Sequence, residues 1–220
     1  MDIKLTLVAL LLITLSQTSY TQEKDIKGAL TDTISIKLDN VAFDEDAYMS
    51  ILDSENNTIA YYDRFENKSG PIKAVRLYNL KKELIYILVP IITENGYTVH
   101  LRNKDKSRGL INLTGKIKGL KVSYRSEVDY FQQPYDFDYR VRMGIGKVSA
   151  AQTVNYNNQE VISYKENVSA FSGVKISPFV VSKSFYLEHK LDAINWVLVI
   201  QLMNELALEV SNNRRDNIGD

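Results

Sequence analysis

The stretch that most limits the fold is Asp192–Val210, DAINWVLVIQLMNELALEV. It contains no glycine or proline, and Asp192 suits an N-cap, so a helix is predicted over it. Its polar residues are Asn195, Gln201, Asn204, Glu205 and Glu209. On a helical wheel they occupy one half thinly, while apolar side chains fill the other half and intrude into the first. A helix of that kind needs protein on nearly every side. Five polar positions also make it a poor bilayer span. Whatever precedes it must therefore build a shell around an apolar rod.

What precedes it is strand after strand. Ile34, Ile36 and Leu38 alternate with polar residues, the period of a half-buried strand. Ala47–Asp53 and Thr58–Tyr62 flank the turn-like SENN. Ile72–Tyr78 alternates, Glu83–Pro90 is a longer apolar run, and Asn95-Gly96 marks a turn before Tyr97–Arg102. Further strands are expected at Leu110–Leu113, Ile117–Tyr124, Asp138–Met143, Lys147–Thr153, Glu160–Tyr164, Val174–Val181 and Ser184–Lys190. The spacing is that of a barrel or sandwich. About eight strands can be filled by their own side chains, whereas a wider barrel must hold something else. The fold class expected is mainly β: a closed barrel of about twelve strands enclosing the hydrophobic C-terminal helix. Residues 32–210 would form this domain, preceded by a polar lead over 22–31 and followed by a disordered tail over 211–220.

Three passages carry a family likeness. Asp46–Tyr62, DAYMSILDSENNTIAYY, is a hairpin built around an Asp. Ala74–Ile87, AVRLYNLKKELIYI, is a strand, a short polar turn and a second strand. Phe185–Leu208, FYLEHKLDAINWVLVIQLMNELAL, is a last strand, an Asp and the apolar helix. In this order the chain resembles the tubby C-terminal-like superfamily, in the style of the LURP-one-related proteins and phospholipid scramblases. The resemblance implies a twelve-stranded barrel around a buried C-terminal helix. It also implies a non-enzymatic role, such as phosphoinositide binding or membrane-lipid association. No lipid- or calcium-contacting residue of that family can be matched onto a position here, and none is carried over.

Residues 1–21 stand apart from the domain. Lys4 precedes the apolar run Leu5–Leu15, and the polar, small-residue stretch SQTSYTQ follows. That is the three-part form of a cleavable signal peptide. The run's eleven residues, broken by two threonines, span about 16 Å, roughly half a bilayer core, so a permanent anchor is not expected. Cleavage is expected after Thr21, or alternatively after Thr18, giving a secreted or periplasmic protein. Export departs from the mainly intracellular family and weighs against a phosphoinositide role. With no cysteine in the chain, an exported domain rests on its core alone. The sequons at Asn56, Asn67, Asn112 and Asn167 matter only in a host that glycosylates them.

Composition excludes several functions. Twenty-seven bases balance twenty-seven acids, which argues against a nucleic-acid binder. Without cysteine, and with two isolated histidines, His100 and His189, no metal site or cofactor is expected. Asp44-Glu45-Asp46 lacks the spacing of a calcium loop. There is no G-x-S-x-G, and Gly144–Gly146 opens no helix, so no catalytic residue is assigned.

Two surface candidates remain. Charge is segregated: residues 39–66 carry eight acids and one base, and residues 102–125 carry eight bases and one acid. Arg102, Lys104, Lys106, Arg108, Lys116, Lys118 and Lys121 are candidates for an anionic partner, a lipid or glycan. The alternative is solvated strands and hairpin tips. Tyr130, Phe131 and Tyr135 are candidates for an aromatic contact loop, against a sugar or a protein partner. The alternation of Tyr135, Phe137 and Tyr139 equally suits a strand facing the core. The expected function is an exported, non-enzymatic binding module associated with a lipid or membrane surface. The alternatives are a lipocalin-like carrier of a small apolar ligand and, behind it, a carboxylate-based hydrolase.

Overall fold

The computed structural model describes residues 32–39, 48–70, 72–118, 121–144, 147–169, 173–176 and 178–216. The signal-peptide and polar-lead expectations fall on residues outside these. Thirteen strands are present among these residues. They are β1 Thr33–Leu38, β2 Met49–Leu52, β3 Thr58–Phe65, β4 Ala74–Tyr78, β5 Leu84–Thr93, β6 Gly96–Asn103 and β7 Arg108–Lys118. Then come β8 Lys121–Asp129, β9 Tyr135–Gly144, β10 Lys147–Tyr156, β11 Gln159–Ser169, β12 Gly173–Ile176 and β13 Phe179–Ser182. Helices α1 Lys183–Glu188 and α2 Lys190–Asp216 follow.

Every strand from β1 to β11 pairs antiparallel with the next. β12 and β13 lie along one edge of β11, the first against Glu166–Ser169 and the second against Ile162–Ser163. They act as one strand interrupted beside Pro178, which has no N–H to continue the ladder. β13 then pairs with β1, Thr33 opposite Ser182. Twelve passes thus make a nearly closed antiparallel barrel, and an even count lets the first and last meet antiparallel. The ladder is thinnest at β1–β2, with two residue pairs, and at β8–β9, paired over Lys121–Ser123 and Arg140–Arg142.

Alternation decides what faces inward. Tyr97, Val99 and Leu101 are buried while His100 and Arg102 are exposed; Ile111 and Leu113 are buried while Leu110 is exposed. Tyr135, Phe137 and Tyr139 all point into the core. At the β5–β6 turn the chain approaches β7 so closely that a side chain on Gly96 would run into the Leu113 carbonyl.

α2 fills the interior. Ala193 through Ile200 are each at most 1% exposed, eight residues in succession. Two full turns covered on every side are reached only within the barrel. Its partners come from different sectors of the wall: Arg64 on β3, Tyr86 on β5, Phe137 on β9 and Gln152 on β10. The space an apolar carrier would need is therefore occupied by the helix.

Three details correct the sequence reading. Ser184–Lys190, expected as a strand, is mostly the short helix α1. Phe185 and His189, four residues apart, bring their rings to 5.2 Å, and the His189 N–H donates to the Phe185 carbonyl. A helical turn brings the chain from the wall into the mouth over a shorter distance than a strand does. The helix also runs on to Asp216, through the first part of the expected tail. Nothing between Lys190 and Asp216 breaks it, and Arg214 and Arg215 suit a helix C-terminus. Asp192 is not the N-cap; it lies in the first turn of α2 with a different task.

Candidate functional site: the helix-entry end of the barrel

Alternating strands give the barrel two ends. One, the entry end, carries the β2–β3, β4–β5, β6–β7, β8–β9 and β10–β11 turns, together with α1 and the first turn of α2. The other carries the remaining connections. α2 descends from the entry end, and Glu205 reaches the opposite end of β3, where Arg64 grips its carboxylate with both guanidinium nitrogens. That hydrogen-bonded pairing raises the Arg64 pKa further.

Three entry-end turns share one local chemistry. Asp53 accepts from the N–H groups of Glu55 and Asn57, Asn79 from those of Lys81 and Glu83, and Asn103 from that of Ser107. In each, the fourth residue is left-handed: Asn56 (φ 64°), Lys82 (φ 61°) and Lys106 (φ 64°). The leading Asx side chain stands in for a backbone turn. The lysines hold a conformation that costs a non-glycine residue about 1 kcal/mol. The result is a set of rigid turns that hold charged side chains outward.

A polar cluster closes the mouth beneath them. The Asp192 carboxylate accepts the hydroxyls of Tyr86 at 2.9 Å, Tyr130 at 3.1 Å and Tyr135 at 3.1 Å. Asn195 donates to the Tyr130 hydroxyl at 2.8 Å. Trp196 stacks on Tyr130 with centroids 5.1 Å apart, and Phe131 stacks on Tyr86. Burial first, and the Asp192 charge second, push all three phenols well above the ordinary tyrosine range. This arrangement fixes the start of the helix.

The candidate residues divide as follows. Tyr130 and Tyr135 are buried and Phe131 is partly buried against the core. Their rings seal the mouth and do not form an exposed contact loop. Arg102, Lys104, Lys106 and Arg108 are exposed on the β6–β7 turn, at the entry end. Lys116, Lys118 and Lys121 are placed by the backbone at the β7–β8 hairpin, where Lys118 pairs with Lys121. β7 has eleven residues, about 35 Å of strand, so the seven bases occupy two opposite ends and not one face. Of the histidines, His100 is exposed on β6, and His189 packs its ring on Phe185 and Tyr156.

Two features of this end were missed. Lys81 and Lys82 stand on the β4–β5 turn beside the basic β6–β7 turn, and both are exposed. Leu80, Leu84, Leu110, Leu187 and Leu191 are the large exposed aliphatic side chains among the described residues, and all five lie at this end. Also among the described residues, no group of three or more His, Asp or Glu could hold a metal ion. Comparison of the chain with protein-family models, with curated proteins and with solved structures finds no significant match.

Proposed function

We propose that the chain is an exported, non-enzymatic binding module of the tubby-like kind, and that its entry end binds an anionic lipid surface. The observation that carries this reading is the filled interior. With α2 occupying the barrel and the Asp192 carboxylate held by three phenols, the reading places recognition on the outside. A barrel around an enclosed helix is also the architecture the tubby resemblance implies. On that outside, the β4–β5 and β6–β7 turns expose six bases (Lys81, Lys82, Arg102, Lys104, Lys106 and Arg108) against two acids, Glu83 and Asp105. Near an anionic membrane each such charge contributes about 1 kcal/mol.

The test is sedimentation with phosphatidylcholine vesicles, with and without one-third phosphatidylglycerol, at low and high salt. Binding is expected to be stronger on the anionic vesicles and to weaken as salt rises. Replacing Arg102, Lys104, Lys106 and Arg108 with Gln is expected to weaken it by about a hundredfold or more. Equal retention on neutral and anionic vesicles at low salt, or a quadruple variant that binds as the wild type does, would remove the proposal.

A further inference from the structure

The leucines at the entry end are arranged for more than electrostatic attachment. Leu187 is 72% exposed, Leu80 55% and Leu191 43%, while Leu84 and Leu110 are each 38% exposed. Three come from turns or strand starts and two from the corner between α1 and α2. The corner and β5 are tied together: Leu191 precedes Asp192, which accepts the hydroxyl of Tyr86, two residues beyond Leu84. Lys190 adds its charge beside the β2–β3 turn, where it acts on Asp53. An exposed leucine alone is ordinary, but five on one end of a barrel, interleaved with lysines and arginines, are not. Acids share this end: Glu188 follows Leu187, Asp53 stands within reach of Lys190, and Glu55, Asp129, Asp136 and Glu160 lie along the rest of the rim, while the β4–β5 and β6–β7 turns hold two, Glu83 and Asp105.

The geometry points to insertion: the entry end stands on an anionic bilayer with Leu80, Leu84, Leu187 and Leu191 in the headgroup region and the bases around them on lipid phosphates. This deepens the proposed function and rests on it. A bilayer supplies both the apolar layer for the leucines and the opposite charge for the bases. The chain also enters the barrel at this end. β1 starts at Thr33 opposite Ser182, and the Lys183 N–H bonds the Asp32 carbonyl.

Insertion and charge attraction separate with salt, because screening weakens the second and leaves the first. Vesicles of phosphatidylcholine with one-third phosphatidylglycerol are the probe. In about 0.5 M salt the wild type is expected to keep a measurable partition that Leu187→Ser/Leu191→Ser loses by about tenfold or more. Both positions are exposed, so the melting temperature should not move. The cysteine-free chain permits a second readout. An environment-sensitive dye on Leu187→Cys should brighten and shift to the blue on vesicles, and one on Lys68→Cys, exposed at the opposite end, should not. No binding to either vesicle type overturns the proposed function and this inference together. Binding with an unchanged leucine variant, or with the dye responding equally at both positions, overturns the inference alone. A vesicle-free dimer that Leu187→Ser/Leu191→Ser dissolves also overturns it and assigns the leucines to self-association.

Discussion

Removing the Asp192 carboxylate should loosen the helix from the barrel. Three phenols donate to it, and Tyr130 receives a further bond from Asn195. Hydrogen bonds to a charged group contribute about 1.5–3 kcal/mol each when buried. Asp192 is half-buried at a mouth, so water replaces part of that, and Asn195 can turn its carbonyl toward Tyr130 at the expense of its amide. The expected cost of Asp192→Ala is therefore about 3–6 kcal/mol. For a domain of this length that is a fall of roughly 6–24 °C in Tm. The side chain removed is small, so little of the loss comes from packing. The assay is thermal and urea unfolding followed by far-UV circular dichroism, with the near-UV signal of Trp196 reporting its stack on Tyr130. Asp192→Asn, which keeps an acceptor oxygen, should lose about half as much. Each of Tyr86→Phe, Tyr130→Phe and Tyr135→Phe should lose about 1–2 kcal/mol. If Asp192→Ala unfolds within about 1 kcal/mol of the wild type, the carboxylate does not anchor the helix and the reasoning fails.

Trp196→Ala opens a void at the centre of an aromatic cluster of Tyr130, Tyr135 and Phe137; a loss of about 3–5 kcal/mol is expected in urea unfolding. The buried tyrosines make the fold sensitive to alkali. Burial raises Tyr62 to about 12, and raises Tyr86, Tyr130 and Tyr135 as well. Their contribution is whole below the unfolded tyrosine pKa near 10 and is lost as pH climbs through the folded values. Tm should thus hold to about pH 10 and fall steeply above it, with tyrosinate absorbance rising together with unfolding; a flat Tm to pH 12 would contradict this. Lys106→Gly relieves a left-handed backbone at an exposed turn and should raise stability by about 0.5–1 kcal/mol.

The sequence exposes those features that depend on near neighbours. Period-two alternation along Tyr97–Val99–Leu101 is enough to place one face of β6 in the core. An apolar wheel with nowhere to lie is enough to put α2 inside a shell. The chemistry at the mouth depends on distant neighbours. Asp192 meets Tyr135, Tyr130 and Tyr86 across 57, 62 and 106 residues of chain. Nothing local to Asp192 distinguishes a phenol acceptor from an N-cap, since a carboxylate before an apolar helix suits both. α1 was equally hidden. Phe185 and His189 meet at helical spacing only because the chain has to leave β13 and enter the barrel.

The basic residues show why closeness in sequence misleads in a meander. Residues 102–125 look like one cluster, yet β7 runs the height of the barrel between their two halves. Sites in this topology gather instead across two strands, because every second turn returns to the same end. The spacing is visible in the chain itself: Asp53, Asn79 and Asn103 recur at intervals of 26 and 24 residues, each opening the same turn. Read at that interval, Leu80, Lys81 and Lys82 fall into line with Lys104 and Lys106, while Lys116 and Lys118 fall out of it. Charge alone does not separate these lysines. The path of the strands does, and it is why the entry end brings the β4–β5 and β6–β7 turns together although more than twenty residues of chain separate them.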